Sequence, residues 1–260
     1  MKALVCSQLH LGGNAKNAEL PAKIAAAASE NGADALFVAG DLFCDHRFDD
    51  DIYNKLYNCF SALTGTHVFI CPGPSDPYVF SSPYILRDWP ENVHIFKNRM
   101  KAFEIAAKAG SGDPDIRVYG SGSARHRRGI GVINKDKLPK PDAGYLNILL
   151  LSAPPLDDEG NIDSALLEKC GFDAYVFGTE SAQDASLFTG AENIVFVPGG
   201  ADGVMAGQIT KGSAPFEFAP VFPPEADDVC EQKKTDVAEI ARKYMECALS
   251  GKEIPEVTGQ

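Results

Sequence analysis

The sequence lacks the features that mark membrane, secreted and disulfide-stabilised proteins. Its 260 residues contain no apolar run close to the ~20 residues that span a bilayer. The apolar N-terminal run is interrupted by Gln8 and His10, too early for a secretory signal. The seven cysteines are odd in number and include no C-x-x-C pair, which favours neither a disulfide framework nor a zinc ribbon. We therefore expect a cytoplasmic protein with no membrane association.

Positive charge is also scarce. There are 24 lysines and arginines against 36 aspartates and glutamates, which gives a net charge of −12. Because non-specific DNA binding depends on cationic side chains that displace counterions from phosphates, nucleic acid is not an expected partner. The one basic cluster contains Arg125, Arg127 and Arg128. We predict a solvated loop there, with contact to a phosphate or another anion as the alternative.

The first half of the sequence has the alternation of a parallel α/β protein. Apolar runs at 2–6, 35–39 and 67–71 are separated by helical segments at 20–31 and 49–63. This βαβαβ order predicts a parallel sheet whose carboxyl ends carry the site.

The second half is richer in strands. Short apolar runs are separated by Gly, Asp and Pro turns, and a helix is predicted at 164–170. The predicted strands are 93–96, 101–106, 116–119, 145–151, 174–177, 194–197, 204–210 and 216–221. Two sheets packed face to face, with helices outside, satisfy this pattern.

The composition changes after residue 222. Two prolines and an acidic stretch lead to a helix predicted from Thr235 to Ser250, whose apolar positions have helical spacing. We predict one domain, 1–222, followed by a C-terminal acidic linker and helix, 223–260, in which the helix packs on the domain. Docking of a partner by this helix is the alternative.

Four short motifs follow apolar runs, and together they carry the functional information. They are SQLHLGG (Ser7 to Gly13), GDLFCD (Gly40 to Asp45), GPSD (Gly73 to Asp76) and GTES (Gly178 to Ser181). In order and spacing they resemble the motifs of calcineurin-like metallophosphoesterases. Their amino-acid sequences most closely resemble those of SbcD-type DNA repair exonucleases. The resemblance covers roughly the first 210 residues. It implies a four-layer α-β-β-α sandwich of two mixed sheets flanked by helices.

In the family these motifs have the sequences D-x-H, G-D-x-x-D, G-N-H-D and G-H-x-H, and a lone His lies at the end of another strand. Its side chains hold two divalent metals that activate water and clamp a phosphate ester. Carried over to this sequence, His10 and Asp41 match metal ligands. Gln8 replaces the first Asp, and Cys44 replaces the second Asp of its motif, with Asp45 one residue further on.

The later motifs depart further from the family. Pro74 replaces a ligand Asn, and Ser75 replaces the His that would protonate the leaving group. Ser152 stands where the family has its lone His, and Thr179 and Ser181 replace both histidines of the last motif. Asp76, which ends the third motif, is expected to orient a turn.

These replacements predict the loss of the metal centre. Imidazole and carboxylate donors provide most of the affinity of such sites, and only His10 and Asp41 remain, with Gln8 as a weak neutral donor. We therefore expect no metal cofactor and an inactive protein, or pseudoenzyme, that serves as a binding or scaffolding subunit. The analogy with SbcD-type proteins alone suggests an SbcC-type ATPase as the protein partner.

Two alternatives stay open. In the first, His10 and Asp41 combine with Asp45, His46 and Glu180 in a rewired site for one divalent transition metal (Mn, Fe or Zn), and the protein is a phosphoesterase or nuclease. In the second, the cleft that holds the metals in the family binds phosphate or a nucleotide together with the basic cluster, and the protein is a sensor.

Overall fold

Two mixed β-sheets form the centre of the molecule, which we describe from a computed structural model over residues 1–13, 15–45, 48–108, 110, 112–123, 138–155, 163–179 and 193–222. The described strands are β1 (Lys2–Cys6), β2 (Ala35–Ala39), β3 (His67–Cys71), β4 (Val93–Ile95), β5 (Lys101–Ile105), β6 (Ile116–Gly120), β7 (Leu146–Leu151), β8 (Ala174–Thr179), β9 (Ile194–Pro198), β10 (Met205–Gln208) and β11 (Phe218–Pro220). The described α-helices are α1 (Leu20–Glu30), α2 (Asp50–Ser61), α3 (Pro83–Leu86) and α4 (Ser164–Cys170).

Both sheets combine a parallel centre with antiparallel edge strands. The first sheet has the order β11-β10-β1-β2-β3-β4, and the second has the order β5-β6-β7-β8-β9. Strands β1 to β4 are parallel. Strand β10 pairs antiparallel with β1, and β11 pairs antiparallel with β10. Strands β6 to β9 are parallel, and β5 is antiparallel. The predicted pair of mixed sheets is confirmed.

Alternating side chains along each central strand produce the layers. In β2, Leu36 and Val38 pack in a core with Ile24 of α1 and Leu56 of α2. The intervening Phe37 faces the opposite way, into a second core shared by both sheets. On the far side of the second sheet, β7 and β8 contribute to a third core with Leu167 of α4. The order of layers is helix, sheet, sheet, helix.

The ends of the longer helices follow local sequence signals. Asp49 caps α2, and its side chain accepts a hydrogen bond of 2.8 Å from the Asp51 amide. Asp163 caps α4 by accepting from the Leu166 amide at 3.0 Å, and Gly171 ends that helix with φ 69°. These features agree with the predicted starts and ends. Among the described residues, three short elements have no counterpart in the sequence prediction: α3 and the 3₁₀ turns Ala15–Glu19 and Ala201–Gly203.

Residues Met1–Phe222 form one compact unit. The predicted C-terminal linker and helix, 223–260, lie outside the described residues, so the predicted division of the chain and the docking of that helix stay predictions. Among the helices that the structure describes, none is long and apolar enough to cross a membrane.

A pair of histidines at the start of β3 and in β4 predicts a loss of stability in acid. The Nδ1 atom of His67 lies 3.0 Å from Nε2 of His94, and the His94 ring stacks on Phe69 at 4.9 Å. Burial lowers the pKa of His67. The pKa of His94 is lowered to about 4, mainly by burial and to a smaller extent by repulsion from the nearby His67. The folded state therefore resists protonation, and the stability present above pH 6.5 is lost as the pH falls towards 4.

We expect His94→Gln to reduce this loss between pH 6.5 and 4 by about 1 kcal/mol, allowing for the partial exposure of the ring. Urea unfolding of both proteins at several pH values measures the difference. An unchanged slope of stability against pH would contradict the prediction.

Candidate active-site cleft

The carboxyl ends of the two sheets meet where the four motifs lie. A Cβ built on Gly40, after β2, would lie 2.7 Å from Cβ of Ser152, after β7. A Cβ built on Gly178, in β8, would lie 2.1 Å from the carbonyl oxygen of Ala39 and 2.8 Å from that of Ser152. Backbones this close require glycine. The structure therefore brings Ser152 beside the second motif, as the family resemblance implies.

The first motif lies between the second motif and the turn after β9. The Gln8 amide donates to the Gly40 carbonyl at 2.9 Å, and the His10 amide donates to the Asp41 carbonyl at 3.1 Å. On the other side, the buried Ser7 hydroxyl donates to the Val197 carbonyl at 2.8 Å. These bonds fix the backbone of the candidate ligands His10 and Asp41 side by side.

Gly199 was not predicted as part of the site, but it defines the space beside Gln8. A Cβ at this glycine would lie 2.7 Å from Oε1 of Gln8. The sequence signal is the glycine-rich turn of Gly199, Gly200 and Gly203, which resembles the turn after the last metal motif in SbcD-type proteins but also occurs in ordinary connections between strands.

Backbone strain is concentrated in the first two motifs. Among the described non-glycine residues, positive φ occurs at Gln8 (47°), His10 (45°) and Asp41 (46°). The left-handed region costs an L-residue about 1–2 kcal/mol, and such strain is concentrated at functional sites. The resemblance assigns a metal ligand to each of these three positions.

Asp41 is held against the third motif. The residue is 8% exposed, and Oδ1 accepts a hydrogen bond of 2.8 Å from the Ser75 amide. A Cβ on Gly73 would lie 2.1 Å from the same Oδ1. Asp41 therefore bonds a loop amide, which is also the behaviour of a carboxylate that orients a turn.

Asp76 is fully buried and accepts three hydrogen bonds. Oδ1 accepts from the Gly73 amide at 2.8 Å, and Oδ2 accepts from the Phe43 amide at 3.0 Å and from the Tyr84 hydroxyl at 2.5 Å. Burial, followed by repulsion from Asp41, raises the pKa of Asp76 to about 7. These contacts tie the second and third motifs together.

The described residues that replace acidic or imidazole side chains of the family motifs are neutral. Thr179 is 6% exposed, and its hydroxyl donates to the Val197 carbonyl at 3.3 Å. Ser75 and Ser152 are half-buried, whereas Cys44 is exposed. Desolvation, followed by the charge of Asp45, raises the pKa of the Cys44 thiol. That shift disfavours the thiolate, which is the form that binds metals.

The described donors do not fit a two-metal centre. His10 and Asp41 are the described candidates with an imidazole or carboxylate at a family ligand position, and Gln8, Ser75, Ser152 and Thr179 offer neutral oxygens. No group of three or more His, Cys, Asp or Glu arranged for a metal ion occurs in the part of the chain that the structure describes. Several candidates lie outside the described residues: His46, Glu180, Ser181, Arg125, Arg127 and Arg128.

Two facing mixed sheets with motifs at their shared carboxyl edge define a metallophosphoesterase-like fold. A family model described as calcineurin-like phosphoesterase matches residues 1–178. The chain belongs to this family. The SbcD-type branch stays a prediction.

Comparison with a solved structure gives the same fold. The protein TT1561 of Thermus thermophilus is 13% identical, with a TM-score of 0.50 over 85% of this chain and 99% of its own. A weaker likeness is to GAP50, described as the anchor in the inner membrane complex of Plasmodium. It is also 13% identical, with a TM-score of 0.45 over 84% of this chain and 78% of its own. A search of the curated proteins found no match.

Proposed function

We propose that this chain is a catalytically inactive, SbcD-like member of the metallophosphoesterase family that serves as a cytoplasmic binding or scaffolding subunit. The observation that carries the proposal is the replacement of family metal ligands, and of the His that protonates the leaving group, by neutral side chains at the shared edge of the sheets. Gln8, Ser75, Ser152 and Thr179 offer only amide or hydroxyl oxygens. The inferred partner is a protein, with an SbcC-type ATPase proposed by analogy alone.

Metal chemistry explains why these replacements matter. A two-metal site needs anionic or imidazole donors to hold each cation against water. Gln8 and Ser152 carry no charge, and the Thr179 hydroxyl already donates to a backbone carbonyl. Loss of a bound metal removes the means by which this family activates water at neutral pH.

One observation favours a second candidate function, a phosphoesterase or nuclease with a single transition metal. His10 and Asp41 keep strained backbone conformations at a cost that a purely structural turn does not require. In this alternative they would bind one Mn, Fe or Zn ion with Asp45, His46 and Glu180.

Metal content and turnover distinguish the two functions. The protein is purified without a histidine tag, incubated with Mn²⁺ and desalted, and bound metal per chain is measured by elemental analysis. Hydrolysis of bis-p-nitrophenyl phosphate is measured in parallel. We expect far less than one metal ion per chain and no turnover. Near-stoichiometric metal, with activity abolished by Asp41→Ala, would establish the single-metal enzyme instead.

A gain-of-ligand variant provides the control for this experiment. Gln8→Asp combined with Ser152→His and Thr179→His restores three family donors. Because the missing donors are the proposed cause of weak metal binding, we expect more bound Mn²⁺ per chain than in the original protein. The matched variant Gln8→Asn, with Ser152 and Thr179 unchanged, adds no charge and is expected to bind no more metal. Circular dichroism confirms that each variant is folded.

A further inference from the structure

Among the described residues, three of the four exposed large apolar side chains lie close together in the chain. Phe80, Ile85 and Leu86 lie within seven consecutive residues and are 88%, 39% and 52% exposed. Tyr57, on α2, is 38% exposed. No other large apolar residue in the described ranges is exposed to this degree. We call these four side chains the apolar patch.

Backbone hydrogen bonds order residues 79–86, the segment that contains three of the four side chains of the apolar patch. The Ser82 amide donates to the Val79 carbonyl at 2.8 Å, and the Ile85 and Leu86 amides both donate to the Ser82 carbonyl at 3.1 Å. Tyr84, within the same segment, is buried and donates to Asp76. An ordered segment loses little conformational entropy when a partner binds, so its exposed side chains are presented in a form suited to docking.

Aromatic contacts join Tyr57 to the same surface. The Tyr57 ring lies 6.1 Å from Tyr53, and Tyr53 lies 5.6 Å from Trp89. The Trp89 indole donates to the Pro83 carbonyl at 3.2 Å. These contacts pack α2 against the segment that contains α3, so Tyr57 and the exposed residues of that segment belong to neighbouring elements.

The charges around the apolar patch indicate the chemistry of its partner. Asp51, Asp88 and Glu91 are exposed acidic side chains in α2 and just after α3, and the exposed cation Lys55 of α2 is paired with Glu19 at 3.9 Å. The nearby cation Arg87 is already paired with Asp50 at 2.7 Å. A second copy of a chain with net charge −12 would bring like charges together, which disfavours association, whereas a basic partner would gain electrostatic complementarity.

We propose that the apolar patch binds an amphipathic helix of a partner protein, with apolar anchors on one face and lysine or arginine at its edges. Helices of this kind bind through anchors spaced three or four residues apart. The inference deepens the proposed binding role by naming the chemistry of the partner. It does not depend on the metal cleft. Peptide binding at the apolar patch and metal binding at the cleft are measured separately, so either result can be negative while the other is positive.

The test uses a fluorescent synthetic peptide about five helical turns long, with leucines on one face and lysines on the other. Binding to the full chain is followed by fluorescence anisotropy at physiological salt. A second peptide of the same composition has its leucines scrambled. We expect the amphipathic peptide to bind and Leu86→Ser combined with Phe80→Ser to weaken it about tenfold or more, which is about 1.4 kcal/mol per factor of ten.

Matched variants and the oligomeric state decide the result. Leu86→Met keeps the apolar surface and is expected to retain binding, whereas Asp88→Lys with Glu91→Lys is expected to weaken it. Equal binding of both peptides would overturn the proposal, because charge alone would then explain it. A dimer detected by sedimentation equilibrium, and lost on Leu86→Ser, would also overturn it by assigning the apolar patch to a second copy. Undiminished binding by the double serine variant would place the peptide elsewhere.

Discussion

Asp76→Ala is expected to lower the free energy of unfolding by about 3 kcal/mol or more, because each buried polar group that loses its partner costs about 1–3 kcal/mol. The carboxylate accepts from the Gly73 and Phe43 amides and from the Tyr84 hydroxyl. Alanine offers these three donors no acceptor, and the site is buried from water. Urea unfolding followed by circular dichroism at about pH 4 measures the change, because the stabilising effect of the raised pKa is complete at that pH.

Two further variants separate the contributions to this effect. Tyr84→Phe removes one donor and leaves Asp76 its two backbone partners, so we expect a loss of about 1–2 kcal/mol. Glu30→Ala changes an exposed carboxylate at the end of α1 and is expected to alter stability by less than about 0.5 kcal/mol. An effect of Asp76→Ala no larger than that of Glu30→Ala would show that Asp76 does not tie the motifs together.

The same carboxyl group predicts a dependence of stability on pH. Burial raises its pKa from 3.8 in the unfolded chain to about 7 in the folded protein, so the folded state holds the proton more tightly. This contribution to stability is complete below about pH 4 and is lost as the pH rises through about 7, with a total of about 4 kcal/mol at about 1.36 kcal/mol per pKa unit. Asp76→Asn, which cannot titrate, is expected to lose this dependence, and parallel curves for the two proteins would contradict it.

Much of the fold could be predicted because the signals are local and repeated. Apolar runs of strand length predicted the central strands, and the acidic start of α2 and Gly171 after α4 marked helix ends. The antiparallel attachment of β10 to β1 depends on contacts between residues far apart in the chain, for example Lys2 with Gln208. No local pattern contains that information. The short helix α3 was missed because four residues cannot show a helical period.

The sequence also located the candidate cleft but not its physical state. Motif order placed Asp41 and Ser152 near one another, and the structure brings their segments together through Gly40. The left-handed conformations of Gln8 and His10 were invisible, because no local sequence pattern at either position requires positive φ. Such strain is a property of the surrounding contacts rather than of the residue.

Gly178→Ala is the second change with a large expected effect. Gly178 begins the last motif, and a Cβ there would lie 2.1 Å from the Ala39 carbonyl oxygen and 2.8 Å from the Ser152 carbonyl oxygen. Both neighbours are backbone atoms of central strands or their ends, which cannot rotate away as a side chain can. Adding a methyl group to such a packed region forces backbone shifts, and we expect a loss of about 3 kcal/mol in the free energy of unfolding.

Gly144→Ala provides a matched control for the same chemical change. A Cβ at Gly144 would make an ordinary contact of 3.5 Å with Oδ1 of Asp142, so we expect a change within about 0.5 kcal/mol. Neither glycine has a positive φ, and the pair therefore compares crowding alone. A large loss of unfolding free energy for Gly178→Ala but not for Gly144→Ala would establish that backbone atoms of the two sheets are in direct contact at the candidate cleft. Equal stability of the two variants would mean that the sheets are further apart there, with room for side chains between the second and last motifs.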